Sequence, residues 1–536
     1  VEFVQESFTE DERAALAPHF TNLEGPVFAL VNLPEVVKGA LFARYSRSPK
    51  SLRRLFLDEF SGAVADAGSG EVGVARAEQL YERVFLEYGD DSVAQLGGAH
   101  LACEQASQLL AKVLERGRFG AYLEQSTRYV PYDDRPGGRW RYAVPPEVEG
   151  SADLASGYRA TADRAFETYA RWLEPMQAHL RSRSPQQPDD SDFVYRMTIR
   201  ARACDALRGL LPAATRSNIG IFSTAQSYEQ LLLRMRAHPL QEVRAYGDLI
   251  LTELRKVIPA FLVRVDSPDR GVRWSAYLED TRRQAEEVTA AAVGDVEPDR
   301  VPLVSLTDFD PEGEVKVVAA AMYEASNLTD DQLLRKARHM GSEGRAAMLR
   351  AYIGERTNRR HKPGRAFERT SYRFDILCDY GAFRDLQRHR PLTVMWQALT
   401  PEHGFDLAAE IEAAGALGEW NRVMEESAAL HAALSAAGLG EAAQYAVAMA
   451  YRIRFVMQMN AREAMHLIEL RTTPQGHPAY RRVGQEMYRL IAEQAGHRAI
   501  AEAMKFVDLS GGEDGRLEAE RRTEQKRTPT NGPVGR

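Results

Sequence analysis

The sequence is poor in several things that would each have pointed to a class of protein. It has three cysteines, Cys103, Cys204 and Cys378, far apart and with no metal-ligand or paired spacing, which excludes a disulfide scaffold and a cysteine-based metal site. No uninterrupted apolar run approaches the roughly 20 residues of a membrane span, and the opening VEFVQESFTEDERAALAPHF lacks the basic-then-apolar order of a signal peptide. A cytoplasmic location without membrane association is expected. There is no excess of positive charge: the formal net charge is -7, which argues against non-specific binding to nucleic acid or anionic lipid. What is present is a globular composition, 44% hydrophobic and 27% charged over 536 residues, and a length whose ceiling is roughly three or four domains.

Most of the chain reads as helix, with apolar residues at helical spacing in AEQLYERVFLEYG (77–89), in the run from Tyr228 to Ile258 and in VGQEMYRLIAEQAGHRAIAEAMKF (483–506). Strand candidates are few and short. Two stretches, PVFALVNLPEVVKGALFARYS from Pro26 and VPLVSLTDFDPEGEVKVVAAAMYEAS from Val301, each give a β-rich run, a Pro-Glu helix start and an apolar helix. They read as one element present twice. Further on, Arg208 stands sixteen residues before Thr224, and Gln444 sixteen before Asn460, so two registers run side by side. The expected organisation is an α/β (α+β) fold in two repeats, each a small sheet with many helices. The first repeat spans 1–290 with an insertion at about 132–192, the second spans 298–510, and the boundary falls around 285–300. Residues 511–536, with almost no large apolar side chain, are expected to be a disordered tail.

Two stretches carry the chemistry. In RGRFGAYLEQSTRY, Arg116-Gly117-Arg118 is followed after seven residues by Ser126, with Glu124 before it and Arg128-Tyr129 after it. In LQRHRPLTVMWQAL, Arg388-His389-Arg390 is intact, but the same step lands on Ala398 and the acid and arginine downstream are missing. Clustered arginines with a carboxylate and a hydroxyl suit a phosphate-bearing ligand, because guanidinium groups fork onto phosphate oxygens. The bland readings are a solvated charged face for Arg-x-Arg, and a cap or ion-pair role for Asn460 and Arg462 on an amphipathic helix. His361, His389 and His466 have no His-x-x-x-His or cysteine partner, so no metal site is expected.

The whole pattern resembles the flavin-dependent thymidylate synthases. That family is marked by Arg-His-Arg, seven residues, then Ser, continuing as Ser-x-Asn-Glu-x-Ser-x-Arg-Tyr. The first copy matches through Arg116, Arg118, Glu124, Ser126, Arg128 and Tyr129, with Gly117, Ala121 and Leu123 as departures; the second matches only the head. Arg208-Gly-Leu-Leu-Pro212 resembles the family's Arg-x-x-Leu-Pro element. Asn460-Ala461-Arg462 with Leu470-Arg471 resembles its Asn-Ala-Arg and Leu-Arg pair, and RHKPGRAFERTSYRF, with His361 and Glu368, its His-rich flavin segment. The first copy has Thr224-Ala225-Gln226 and only YGDDSV at the corresponding places.

The resemblance implies a thymidylate synthase-complementing-protein-like fold and reductive methylation of dUMP, with FAD as cofactor and methylene-tetrahydrofolate and NADPH as co-substrates. It assigns nucleotide contacts to Arg116, Arg118, Glu124, Ser126, Arg128, Arg208 and Arg471, of which Ser126, Arg128 and Arg471 are the catalytic candidates. Flavin contacts fall to His361, Glu368, Arg388, His389, Arg390, Asn460, Arg462 and His466. The losses in the two copies are complementary, which leads to one composite site shared by both repeats. The family builds its sites between subunits of a tetramer, so a homodimer that mimics a tetramer is expected. Two alternatives stand beside this: an enzyme acting on a different nucleotide or on RNA, and a non-catalytic flavin- or nucleotide-binding scaffold.

Overall fold

The structure, a computed structural model, describes residues 5–45, 48–59, 61, 95–188, 190–511 and 515–527. The helix expected at 77–89 and the YGDDSV segment lie outside them. The chain divides into two compact units, one of Val1–Glu104, Val113–Glu124 and Asn218–Val296, the other of Gln105–Lys112, Gln125–Ser217 and Glu297–Arg536. The last crossing runs from Val296 to Glu297. The first repeat is nevertheless not a body of its own: its middle, Gln125–Ser217, belongs to the same unit as the second repeat. Backbone pairing is one reason. Gly209–Ala214 runs antiparallel to Tyr445–Ala450, with Ala213 N–H donating to Val447 O at 2.8 Å and Met449 N–H to Leu211 O at 2.9 Å.

The first unit holds most of a three-stranded sheet of β1 (Gly98–Ser107), β2 (Ala121–Glu124) and β3 (Arg216–Thr224) in the order β1-β3-β2. Glu124 ends β2 opposite Ile219 of β3. The strand expected near Pro26 does not form; Leu30 makes only an isolated bridge to Phe20, and the helix that follows spans Glu35–Tyr45. The helical run from Tyr228 breaks at His238-Pro239, as a proline without an N–H requires, into helices Ala225–Arg236 and Gln241–Leu254.

The second unit holds the antiparallel sheet β4 (Val304–Phe309), β5 (Ser371–Asp379), β6 (Thr393–Trp396) and β7 (Arg452–Asn460), ordered β4-β5-β7-β6. Three of its strands, β5-β7-β6, repeat the order and chain sequence of β1-β3-β2, so the two-repeat reading of the fold holds. Alternation places Tyr372, Phe374, Ile376 and Cys378 of β5, and Ile453, Phe455, Met457 and Met459 of β7, in the core.

Its helices include α1 (Ala152–Arg183), α2 (Asp192–Leu207), α3 (Tyr380–Leu386), α4 (Leu417–Ala436), α5 (Ala461–Arg471), α6 (Pro478–Glu493) and α7 (Gly515–Arg527). The insertion of the first repeat is thus mostly one helix of 32 residues, α1, which buries Tyr158, Phe166, Tyr169 and Met176. The C-terminal segment expected to be disordered contains α7. Its Arg516 pairs with Asp205 at 2.6 Å and its Arg521 with Asp190 at 2.5 Å, so charge docks a helix that has little apolar surface. Among the described residues no helix is long and apolar enough to cross a membrane.

Candidate functional site

Two strand-to-helix joints aim the site. β5 ends at Asp379, whose Oδ1 accepts the Ala382 N–H and so caps α3; α3 then delivers Arg388, His389 and Arg390. β7 ends at Asn460, whose Oδ1 accepts the Glu463 N–H at 2.9 Å and starts α5, the helix of Arg462, Glu463, His466 and Arg471. Asn460 is therefore spent as a cap. Arg462 donates to Pro363 O at 2.9 Å and pairs with Glu368 at 3.4 Å. His361 bonds within its own loop, to Thr357 and Asn358.

In the second unit, arginines of both repeats converge on buried aspartates. Arg128 donates through Nε and Nη2 to both oxygens of Asp205, at 2.7 and 2.8 Å, through Nη1 to Tyr480 Oη at 2.7 Å, and through Nη2 to Gln475 O at 3.0 Å. It is presented by a turn that opens at Ser126, whose Oγ accepts the Arg128 N–H. Asp385 faces Arg208 Nη1 at 3.6 Å, Arg471 Nη1 at 3.9 Å and the hydrogen-bonded Arg388. Arg208 is only 3% exposed, lies 4.0 Å from Asp379, and keeps a buried Nη2 without a hydrogen-bond partner.

Burial raises the pKa of Asp385, but Arg388, Arg471 and Arg208 outweigh it and hold the carboxyl well below the usual range. Asp205 behaves in the same way under Arg128. Asp379 does not: burial lifts it to about 6 against the pull of Arg208, with Asp406 adding to the rise.

The flavin-facing candidates form a second cluster. Arg471 Nε donates to His389 Nε2 at 2.9 Å, His389 Nδ1 lies 3.1 Å from Glu463 Oε1, and the His389 and His466 rings are 5.5 Å apart. Ligand-capable atoms of His389, Glu463 and His466 lie within 4.8 Å of one another. A cation is poorly served there, because Arg471 already occupies the His389 lone pair and Lys362, Arg359 and Arg462 bear on His466, whose pKa burial first of all depresses to about 4. The same surroundings suit an anionic ligand.

Arg116, Arg118 and Glu124 belong to the first unit, whereas Ser126, Arg128, Arg208 and Arg471 belong to the second. Arg390 is exposed at the edge of the cluster. Asp205, Asp379, Asp385, Glu463 and Tyr480 had no part in the sequence reading. A signal existed for two of them: Asp205 and Asp385 each stand three residues before a motif arginine, Arg208 and Arg388, one helical turn away. Beside the cluster lies a cavity of about 180 Å³ walled by Arg202, Arg208, Asp379, Trp420, His477 and Arg516.

A family model described as thymidylate synthase complementing protein (Thy1) matches residues 41–260 and 303–496. A UPF0159 protein of Chlamydia muridarum is 39% identical over 523 residues, 96% of this chain and 98% of that protein. A UPF0159 protein of Thermoplasma acidophilum is 31% identical over 514 residues, 91% of this chain and 99% of that protein. A flavin-dependent thymidylate synthase of Mycobacterium tuberculosis is 30% identical over 148 residues, 27% of this chain and 53% of that enzyme. Among solved structures, a UMP/dUMP methylase from Streptomyces cacaoi, bound with 5-Br dUMP, is 20% identical with a TM-score of 0.31, covering 39% of this chain and 97% of that one.

Proposed function

The chain belongs to the thymidylate synthase complementing protein family, and from that premise we propose that it is a flavin-dependent enzyme that methylates dUMP through one composite site built from both repeats. The observation that carries this reading is the convergence of Arg128 and Arg208, from the first repeat, with Arg388 and Arg471, from the second, around Asp205 and Asp385. With Arg516 the cluster has five guanidiniums facing three aspartates, Asp205, Asp379 and Asp385. That surplus of positive charge is what a phosphate monoester would neutralise.

Arg208 and Arg471 are the nucleotide-facing donors, with Arg208 toward the phosphate. Arg128 commits four of its contacts to Asp205, Tyr480 and Gln475, so its part is to hold the wall of the site. Arg388, Arg390, Arg462 and His466 would face FAD; the buried Nδ1 of His466, which has no protein partner, and the surrounding cations fit its anionic and heteroaromatic parts. When bound, the flavin supplies the hydride and a methylene-folate the carbon, with NADPH as reductant. Arg471 stabilises negative charge on the pyrimidine, a role suited to a preorganised cation. We place the working form as a homodimer that imitates four single domains.

Adding FAD and then titrating dUMP tests the reading. Wild type should bind both, and Arg208→Ala and Arg471→Ala should each weaken dUMP binding by about 2 to 5 kcal/mol. Wild type that holds FAD but ignores dUMP would replace dUMP with another nucleotide or an RNA; wild type that binds neither would leave a scaffold. Deoxythymidylate formation from methylene-tetrahydrofolate and NADPH is the activity assay, and sedimentation measures the assembly.

A further inference from the structure

Glu463 is buried, 5% exposed, and its carboxylate meets the ring of His389, itself 7% exposed. Helix α5 supplies Glu463 and, eight residues on, Arg471, a rise of about 12 Å along the helix. His389 reaches across from the segment after α3 and touches both, Nδ1 at 3.1 Å from Glu463 Oε1 and Nε2 at 2.9 Å from Arg471 Nε. A guanidinium has donors only. Nε2 must therefore accept, and it carries no proton. A neutral imidazole then has its one proton at Nδ1, where it donates to Glu463. The other tautomer would set N–H against N–H at Arg471 and leave Nδ1 without a donor hydrogen for Glu463; a doubly protonated ring would repeat the first conflict.

We propose that Glu463 is the positioning residue of this site, fixing through His389 the tautomer that holds the Arg471 guanidinium in place. The cap from Asn460 Oδ1 to the Glu463 N–H immobilises the backbone beneath the carboxylate. Asp385 faces Arg471 Nη1 at 3.9 Å, so the guanidinium plane is set at two of its nitrogens before a ligand arrives. The surroundings agree. Burial above all, then Arg471, His466, Arg388 and Lys362, keep His389 neutral. Burial raises Glu463 to about 7 against Lys362, Arg462 and Arg390. An oxygen of Glu463 accepts from Nδ1–H whether the carboxyl is ionised or protonated.

The hydrogen-bond chain stands by itself; its consequence for nucleotide binding rests on the function proposed above. Nitrogen-15 signals of the His389 ring in the full-length protein, assigned with His389→Asn, read the chain directly. Wild type should show a protonated Nδ1 and a bare Nε2 from about pH 6 to about pH 8. Glu463→Gln, whose amide oxygen accepts the same bond, should keep that state, and Glu463→Ala should lose it. In FAD-loaded protein, Glu463→Ala should weaken dUMP roughly 10-fold to 100-fold, Glu463→Gln should restore it, and Glu463→Ala should add little to Arg471→Ala, because the two residues act through one contact. A wild-type ring protonated at Nε2, ring signals unmoved by Glu463→Ala, or fully additive losses would overturn the proposal. If wild type ignores dUMP, the ring signals still decide the positioning role, and only the substrate reading falls.

Discussion

Pro212 and Ala448 face each other across an antiparallel bridge, and they are the same position of the two repeats, each four residues past the aligned pair Arg208 and Gln444. The hydrogen bonds around them exchange under the same operation. Ala213 N–H to Val447 O, 2.8 Å, becomes Met449 N–H to Leu211 O, 2.9 Å; Ala214 N–H to Tyr445 O, 3.1 Å, becomes Ala450 N–H to Gly209 O, 3.0 Å. A local two-fold axis passes between Pro212 and Ala448. The contact is isologous, the kind that joins two copies in a symmetric dimer, here made within one chain.

That contact is tight enough to demand glycine at its rim. A Cβ on Gly209 would lie 2.6 Å from Trp420 Cη2 and 3.0 Å from Ala450 Cβ. Gly209→Ala should destabilise the protein by about 1 to 3 kcal/mol in urea unfolding, and under the proposed function it should also weaken dUMP binding, because Arg208 is the neighbouring residue. Gly418→Ala, with nothing within 4 Å, is the control and should change stability by less than about 1 kcal/mol.

Arg356 and Glu469 form a buried pair in which both Nη groups donate to the carboxylate at 2.6 Å, while Arg356 also donates to Ala503 O at 2.8 Å and His361 O at 2.5 Å. The pair ties the basic loop 356–362 to α5. Glu469→Ala should cost about 3 to 5 kcal/mol, since it strands a buried cation. Arg356→Met combined with Glu469→Leu should cost less than Glu469→Ala alone. Denaturant midpoints compare them, and equal losses would argue against a stranded charge.

Asp379 gives a pH dependence whose sign is fixed. Its folded pKa is raised to about 6 from 3.8, so the folded state binds the proton more tightly than the unfolded one. Its contribution is fully present below about pH 4 and is lost as the pH rises through about 6. Asp379→Asn keeps an oxygen to cap α3 and does not titrate. Relative to wild type it should therefore gain on the order of 2 to 3 kcal/mol between about pH 4 and pH 7, read from unfolding curves at several pH values. A difference that is flat with pH would show that Asp379 ionises normally.

Motif spacing singled out Arg208, Arg388, His389 and Arg471, and the fold brings the three arginines to Asp385 and His389 to Arg471. The same spacing could not show that Arg128 is saturated by Asp205, Tyr480 and Gln475, since the partners of a buried cation lie elsewhere in the chain. Glu463 escaped notice because an acid three residues after a helix cap usually faces solvent. The β-rich run at Pro26 looked like the strand at Val304, but a strand needs a neighbour, and Leu30 finds only a single bridge. The tail looked disordered because hydropathy cannot register docking by ions: Leu517 is the one large apolar residue buried in α7, beside Arg516.

The ionic cluster joins residues very distant in sequence. Asp205 meets Arg516 across 311 positions, and Arg128 meets Tyr480 across 352. During synthesis, Asp205 and Arg128 leave the ribosome long before those partners exist, so the cluster closes only after Tyr480 and Arg516 have emerged. Contacts of such separation bear a large loop-closure cost and form late in folding. The earlier part of the protein must hold its charges in water until α7 arrives, which makes assembly of the site depend on that helix.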